Sequence, residues 1–305
     1  MSSFYETLGG LLTPSDDFSG LAPVLGRALA ATLLLGFCCA GLGVRVVNAR
    51  YSFFSDAVSH GVLAGVGLGA LVGHSGLGRR LAESLGWADG QGVMLAVLYL
   101  FSVAFGLGIV WLTRAARLSS DAATGVLFSL VTAAGLVLYS MAPKTMTSLS
   151  GLFYGSPLFV DGLDLAVLAG LALASALFMA WANNRLALID LDARLARAHG
   201  VNTAAYEYAY AALLALVVAA SARLAGILLV TALLILPAAT ARGFSRGAGA
   251  QFWWAQIVAG AAGLAGVFVA GRGWVDAPLG ACVVLCAGAL FAVSAGWTIL
   301  RRGDG

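Results

Sequence analysis

The amino-acid sequence predicts an all-α protein that crosses a membrane many times, and three observations support this prediction. Hydrophobic residues make up 61% of the 305-residue chain and charged residues only 10%. The mean hydropathy of +0.94 leaves too few polar side chains to cover a water-soluble globule. The apolar runs are about 20 residues long, the length of a membrane-spanning helix and twice that of a barrel strand. Because backbone groups cannot stay unpaired in hydrocarbon, such runs must be helices.

The apolar stretches predict eight or nine spans in one transmembrane domain over residues 21–302. In chain order they cover residues 21–44, 52–73, 91–113, 121–140, 161–184, 204–221, 223–242, 249–271 and 277–300. The sixth and seventh are separated only by Ala222 and could form a hairpin that does not fully cross, which leaves both totals open. The preceding segment, residues 1–20, has no basic residue and therefore lacks the positive region of a cleavable signal peptide.

The basic residues predict which way the spans point. With the N-terminus outside, the cytoplasmic loops hold eleven of the 17 lysine and arginine residues, as the positive-inside rule requires. Arg79 and Arg80 then lie outside, against this trend. We therefore predict an extracytoplasmic N-terminal segment and a cytoplasmic C-terminus.

Glycine residues mark one side of the second span. Gly61, Gly65, Gly69 and Gly73 recur every four residues, which places them in one stripe along a helix. Without side chains this stripe allows another backbone to approach closely. The second span is therefore predicted to pack against another helix along this side.

The second span also contains a pair of ionisable residues at membrane depth. Asp56 and His60 are four residues apart in NARYSFFSDAVSHGVLAG, so on a helix their side chains project from the same face. Such groups are costly in hydrocarbon unless they face a cavity or a partner, which makes them a candidate functional site. A carboxylate and a neutral imidazole suit a borderline divalent cation such as zinc, manganese or ferrous iron. Two ligands make an incomplete site, as a point of passage requires.

The spacing alone leaves other interpretations open. Asp56 could hydrogen-bond to His60 or cap the helix at the membrane surface, since such pairs are common in helices. Asp56, His60 and Glu207 could instead form the proton relay of a secondary transporter, although Glu207 also suits a position at the membrane surface. A membrane scaffold without transport activity is a third possibility.

The segment RYSFFSDAVSHGVLAGVGLG resembles the signature of the ABC-3 family of permeases, the zinc, manganese and iron uptake systems. In that family an Asp-x-x-Ser-His element follows the first cytoplasmic turn, and its Asp and His line the translocation pathway and coordinate the passing metal. The resemblance implies these roles for Asp56 and His60, with Ser59 completing the motif. It also implies a type II importer-like permease fold and a divalent metal cargo, with zinc ranked before manganese or iron.

Further parts of the chain resemble the same family. Residues 226–242, GILLVTALLILPAATAR, are similar to its late helix, and residues 275–285, VDAPLGACVVL, to its closing Asp-x-Pro-x-Gly element. Residues 192–201, DARLARAHGV, are similar to the cytoplasmic segment that docks onto the ATPase. The resemblance therefore implies an ATPase-coupling segment near residues 185–203. Its four implied contact positions are Asp192, Ala193, Ala196 and Gly200.

The leucine spacing in this segment gives a short amphipathic helix. Leu188, Leu191 and Leu195 fall on one apolar face, with acidic and basic residues around them. That face could fill a groove on a partner domain or lie on the inner membrane surface.

No nucleotide-binding motif accompanies these features. The chain lacks a G-x-x-x-x-G-K-[ST] phosphate loop, so it is predicted not to be an enzyme and not to hydrolyse ATP. The resemblance implies cytoplasmic ABC ATPase subunits and an extracytoplasmic metal-binding protein as partners, in the inner membrane of a bacterial cell. It also implies a homodimer in contact with lipid, in which two Asp and two His converge. No permanently bound cofactor and no nucleic-acid partner are expected.

Overall fold

The structure, a computed structural model, describes residues 18–49, 51–84, 91–116, 120–141, 162–245, 247–272 and 277–303. All regular secondary structure within these ranges is helical. The helices are α1 Phe18–Asn48, α2 Ser52–His74, α3 Gly76–Ser84, α4 Gln91–Ala115, α5 Ser120–Met141, α6 Gly162–Leu191, α7 Ala193–Ala198, α8 Thr203–Ala225, α9 Ile227–Phe244, α10 Ala248–Gly271 and α11 Leu279–Gly303. Most of the predicted N-terminal segment, residues 1–20, lies outside the described residues, as do Val275 and Asp276.

Nine helices in the described ranges are long and apolar enough to cross a membrane, namely all except α3 and α7. Of the two predicted totals, nine is therefore the one the structure supports. The sixth and seventh spans, α8 and α9, are joined by Gly226 alone, so the predicted break at Ala222 is wrong by four residues. Gly226 has φ 87° and ψ 153°, a conformation that residues with a Cβ avoid, and this allows the chain to reverse without a loop.

Helices α1 and α10 run in opposite directions, as two contacts between them show. Asn48 Nδ2 donates to Gln251 Oε1 at one end, and Ala28 packs with Val267 at the other. The end with Asn48 also gathers the ends of α4 and α6 and the beginnings of α2 and α8, which ion pairs and a shared cavity bring together. We call it the basic end after its arginines: Arg45, Arg114, Arg185, Arg194 and Arg197. These are among the residues that the positive-inside rule assigns to the cytoplasm.

Helix α1 packs against α6, α9 and α10, and small residues bring these neighbours close. A Cβ on Gly43 would lie 1.8 Å from the Leu234 carbonyl oxygen of α9, and one on Gly36 would lie 3.4 Å from the Ala259 Cβ of α10. In a bilayer, lipid competes with apolar side chains for contact, so helices associate through such close van der Waals packing.

Helix α2 packs between α4 and α5. Its glycine stripe faces α4, where a Cβ on Gly65 would lie 2.8 Å from Leu98 Cδ1 and one on Gly69 would lie 2.7 Å from the Met94 carbonyl oxygen. Gly67 lies equally close to the backbone of α5. The prediction that this side of the second span packs closely against another helix is confirmed.

Helix α6 is longer than a membrane requires. Its 30 residues span about 45 Å at 1.5 Å per residue, against a hydrocarbon core of about 30 Å. Its last turns therefore extend beyond the apolar layer at the basic end. As a result, residues 185–191 of the predicted coupling segment continue a transmembrane helix.

Candidate metal pathway and coupling segment

A tight turn at the basic end leads from α1 into α2. The Tyr51 backbone N–H donates to the Val46 carbonyl oxygen over 2.8 Å, and the Phe54 N–H donates to the Tyr51 carbonyl oxygen over 2.9 Å. Helix α2 consequently begins at Ser52, with Asp56 about one turn inside it and His60 one turn further. Both side chains are half-buried.

Two contacts orient the His60 imidazole. Its Nδ1 lies 2.9 Å from the Asp56 carbonyl oxygen, and its ring meets the Phe128 ring of α5 edge to face, with centroids 4.9 Å apart. With the proton on Nδ1, this nitrogen donates to the carbonyl and Nε2 keeps the lone pair that a metal needs. The geometry is therefore compatible with metal ligation through Nε2, on the side of α2 that faces α5.

The hydrogen bond by itself does not distinguish His60 from the other histidines. His74 and His199 each place Nδ1 2.9 Å from the carbonyl oxygen four residues earlier in the chain. Both are exposed, and neither has a carboxylate residue one helical turn away in sequence. His60 differs in its depth within a span and in its neighbour Asp56.

One chain supplies an incomplete ligand set. Among the described residues, no three His, Cys, Asp or Glu side chains come together in a way that could hold a metal ion. Ser59 of the Asp-x-x-Ser-His motif is fully buried, whereas Asp56 and His60 are half-buried. Zinc usually takes four ligands, so this pair would provide about half of a closed zinc site.

The segment after α6 is an ordered turn of helix at the basic end. Asp192 Oδ1 accepts hydrogen bonds from the backbone N–H groups of Arg194 over 2.7 Å and Leu195 over 3.3 Å, which caps α7. Gly200, with φ 76°, follows the helix. Asn202 Oδ1 accepts from a backbone N–H in the first turn of α8. These caps satisfy backbone groups that a short helix leaves unpaired.

The four positions implied to contact an ATPase differ in exposure. Asp192 and Gly200 are exposed and Ala193 is partly exposed, whereas Ala196 is fully buried. The Ala196 side chain therefore packs α7 against its own chain and does not lie on the exposed surface.

The three leucines of the predicted apolar face also differ in exposure. Leu188 packs against the hydrophobic core. The Leu191 and Leu195 side chains are 84% and 47% exposed. These two leucines form an apolar patch on the outside of the coupling segment.

An ion pair joins the end of α6 to the end of α1. Arg45 donates from Nη2 to Asp190 Oδ1 over 3.2 Å and from Nε to Asp190 Oδ2 over 3.3 Å. The Arg45 side chain is only 5% exposed and the Asp190 side chain 18%. Sequence reasoning missed this pair because the two residues are 145 positions apart, and no local motif links them.

Glu207 lies at the same end, in the first turns of α8. Its carboxylate accepts a hydrogen bond from Arg114 Nη1 at the end of α4. Glu207 also lines a small cavity of about 30 Å³ with Tyr51 and Phe54, and neither Asp56 nor His60 is among the described residues that line it.

Residues 22–297 match the ABC 3 transport family, which is nearly the whole span of the predicted membrane domain. The chain belongs to the ABC 3 transport family. The predictions of an all-helical ABC-3 permease and of a membrane subunit that is not itself an ATPase are thereby confirmed.

The relatives of this ABC 3 family member include transport proteins for different metals. It is 30% identical over 270 residues to the manganese transport system membrane protein MntC of Halalkalibacterium halodurans, covering 88% of this chain and 86% of that protein. It is 26% identical over 273 residues to the high-affinity zinc uptake system membrane protein ZnuB of Haemophilus influenzae, covering 89% and 96%.

A solved structure shares the fold. PsaBC from Streptococcus pneumoniae in complex with Fab matches with a TM-score of 0.72 and 26% identity, covering 90% of this chain and 93% of that chain. Together the family and its relatives identify a multi-pass membrane permease of a bacterial ABC uptake system for divalent metals. At these sequence identities the relatives do not distinguish zinc, manganese and iron as the metal carried.

Proposed function

We propose that this permease conducts its metal ion past Asp56 and His60, with zinc preferred over manganese and iron, across the inner membrane of a bacterial cell. The observation that carries the proposal is the half-buried carboxylate and imidazole on one face of α2, with the imidazole oriented by the Asp56 carbonyl. The manganese and zinc relatives support the class of cargo.

The two groups are suited to passage because they bind incompletely. A divalent cation that enters a membrane loses water ligands, and a carboxylate oxygen and an imidazole nitrogen replace part of them. A complete set of rigid ligands would trap the ion. A pair on one helix lets the ion leave when the helix moves.

A homodimer supplies the remaining ligands in this proposal. Helix α5, which contacts His60 through Phe128, has an exposed apolar surface that includes Val126 and Leu130. A second copy placed against the α2 and α5 side brings two carboxylates and two imidazoles together. Four such ligands match the number and chemistry that zinc prefers.

The coupling segment gives the site for the energy-supplying partner. Leu191 and Leu195 present exposed apolar surface at the basic end, beside the exposed Asp192 cap of α7. Such an amphipathic segment fits a groove on a cytoplasmic ATPase subunit. An extracytoplasmic metal-binding protein delivers the ion at the other end.

A proton relay through Glu207 receives no support from the geometry. Glu207 is paired with Arg114 at the basic end and lines a separate cavity. A relay requires a chain of groups within hydrogen-bond reach, whereas the Glu207 carboxylate is held by the Arg114 guanidinium. The relay remains an outcome of the test below, as sensitivity of uptake to an uncoupler at constant ATP.

The test is metal uptake by cells that depend on this system, with Asp56→Ala and His60→Ala variants. Each substitution removes one ligand, so the initial uptake rate at limiting zinc should fall by about a hundredfold, the upper end of the loss typical for changes around metal ligands. Radiolabelled zinc is measured in the cells, and the amount of permease in the membrane fraction is measured by immunoblot.

Two variants provide matched controls. His74→Ala removes a histidine from the same helix with the same Nδ1 hydrogen bond, but at an exposed position. Asp121→Ala removes an exposed carboxylate from the first turn of α5. Both should leave uptake unchanged, and unchanged uptake in the Asp56 and His60 variants would refute the pathway.

A further inference from the structure

The basic end of the bundle brings several helix ends together. Helices α1, α4 and α6 end here, and α2 and α8 begin here. The coupling segment connects α6 to α8. Asp190 lies within it, two positions before the Asp192 cap, and Glu207 lies just after it, five positions after Asn202. Each of these acids pairs with an arginine from another helix.

The first pair connects the coupling segment to the turn that begins α2. Asp190 holds Arg45 through two parallel hydrogen bonds. The Arg45 carbonyl oxygen accepts from the Ala49 N–H over 2.8 Å, and the next residue, Val46, accepts from the Tyr51 N–H over 2.8 Å. A displacement of Asp190 is therefore transmitted through Arg45 to the residues that start the helix carrying Asp56.

Contacts with α8 hold the charged Arg45 side chain in this position. Its guanidinium lies over the Tyr210 ring of α8, 4.4 Å from the centroid, and the Tyr210 hydroxyl donates to the Leu42 carbonyl oxygen over 2.7 Å. The side chain is 5% exposed, and its Nη1 has no hydrogen-bond partner among the described residues. A buried guanidinium depends strongly on its one carboxylate partner.

The second pair reaches the same helix by another route. Glu207 of α8 binds Arg114 in the last turn of α4. Helix α4 lies against the glycine stripe of α2, where no side chain on α2 separates the two backbones. Close-packed helices move together, so a shift of α4 carries α2 with it.

A small cavity lies between the two pairs. The cavity of about 30 Å³ is lined by residues of α1, α2, α4 and α8, including Arg45, Tyr51, Arg114 and Glu207. Its volume is about that of one or two water molecules, so packing at this point is looser than in a protein interior.

We infer that Asp190 and Glu207 are positioning residues that transmit the movement of the coupling segment to α2, and so link ATP hydrolysis by the partner to release of the metal from Asp56 and His60. This inference rests on the proposed function. Neither acid touches the metal. Each acts through an arginine on a helix that contacts α2.

The experiment compares metal transport with ATP hydrolysis in the same sample. The complex of permease and ATPase is reconstituted in liposomes with its binding protein and zinc, and accumulated zinc and released phosphate are measured together. Asp190→Asn and Glu207→Gln keep side-chain size but remove the charge. Each variant should transport about tenfold less zinc per ATP, while ATP hydrolysis continues. A change of this size lies within the range typical of coupling between two sites.

Conservative and control variants separate this role from a merely structural one. Asp190→Glu keeps a carboxylate for Arg45 and should recover part of the ratio. Asp121→Asn, an exposed carboxylate at the start of α5, should leave the ratio at the wild-type value. If Asp190→Asn does not assemble, Glu207→Gln decides, because its pair is more exposed, with Arg114 at 36% and Glu207 at 19%.

The possible results are distinct. The inference is overturned if both charge-removing variants keep the wild-type ratio of zinc transported to ATP hydrolysed, or if transport and hydrolysis fall equally. Either result leaves the proposed function standing. A wild-type complex that hydrolyses ATP but accumulates no zinc, manganese or iron overturns the proposed function itself, and the inference with it.

Discussion

On the side of α2 that faces α4, glycines bring two backbones together, whereas the ionisable side chains of Asp56 and His60 on the same helix stay half-buried. Gly69 comes so close to α4 that a Cβ would lie 2.7 Å from the Met94 carbonyl oxygen. His60 instead meets the Phe128 ring of α5, and both His60 and Asp56 keep part of their surface exposed. We call the side of α2 with the glycines its closed face, and the side with the two half-buried residues its open face.

This difference shows how a site that must release its ion can still hold its ligands in a defined geometry. Ligands must be held on a rigid element to keep their spacing, and the glycine face gives α2 that rigidity through its contact with α4. The glycines on the closed face are buried, whereas Asp56 and His60 are only half-buried. Substitutions on the closed face should affect folding, and substitutions on the open face should affect transport.

The largest effect is expected for Gly69→Ala on the closed face. The new methyl group meets a backbone carbonyl, which cannot rotate away, so the two helices must separate. The stability of the purified protein should fall by about 2 kcal/mol, a typical cost of overpacking. The midpoint of thermal unfolding in detergent, followed by circular dichroism, measures this loss.

Gly170→Ala is the matched control for this prediction. Gly170 also lies inside a span, but a Cβ there would meet no atom within 4 Å. Its midpoint should stay the same or rise slightly, since alanine is the better helix former. Equal losses in the two variants would mean that the close contact with α4 does not determine stability.

A smaller effect, on selectivity, is expected for His60→Asp on the open face. The change replaces a nitrogen ligand by oxygen, and manganese accepts oxygen ligands more readily than zinc does. The ratio of manganese to zinc uptake should rise about tenfold, equivalent to about 1.4 kcal/mol in relative affinity. Competition between the two radiolabelled metals in the uptake assay measures the ratio, with His74→Asp as the control.

The smallest effect is expected for Gly61→Ala at the basic end of the glycine stripe. Its Cβ would lie 3.2 Å from Phe105 Cδ1, a side-chain atom that can shift by a few tenths of an ångström. The gain in helix propensity offsets this strain, so stability should change by less than about 0.5 kcal/mol. A loss as large as that of Gly69→Ala would contradict the distinction between backbone and side-chain contacts.

The order and type of the helices could be predicted from the sequence because span length and hydropathy are local properties. The reversal at Gly226 was placed four residues too early, since the sequence contains 40 glycines and nothing local shows which one adopts a positive φ. Helix α3 was not predicted. It depends on Ser75, whose Oγ accepts from the Gly78 N–H over 3.1 Å, within a segment read as a loop.

For the candidate site too, local spacing could be predicted from the sequence, whereas packing and contacts between distant residues could not. Asp56 and His60 are one helical turn apart, so their spacing alone placed them on one face. The exposure of Leu195 and the burial of Ala196 follow from how α7 packs on its own chain, which no motif specifies. The pairing of Arg45 with Asp190 depends on the arrangement of α1 and α6, far apart in the sequence.

The single residue between α8 and α9 has a consequence for how the chain enters the bilayer. With only Gly226 as a connection, α8 has no stretch of polar chain that could wait at the surface while α9 is still being synthesised. The two must leave the insertion machinery as a preformed pair. An epitope or protease site placed at this reversal should therefore interfere with biogenesis, although it changes neither a proposed metal ligand nor the coupling segment.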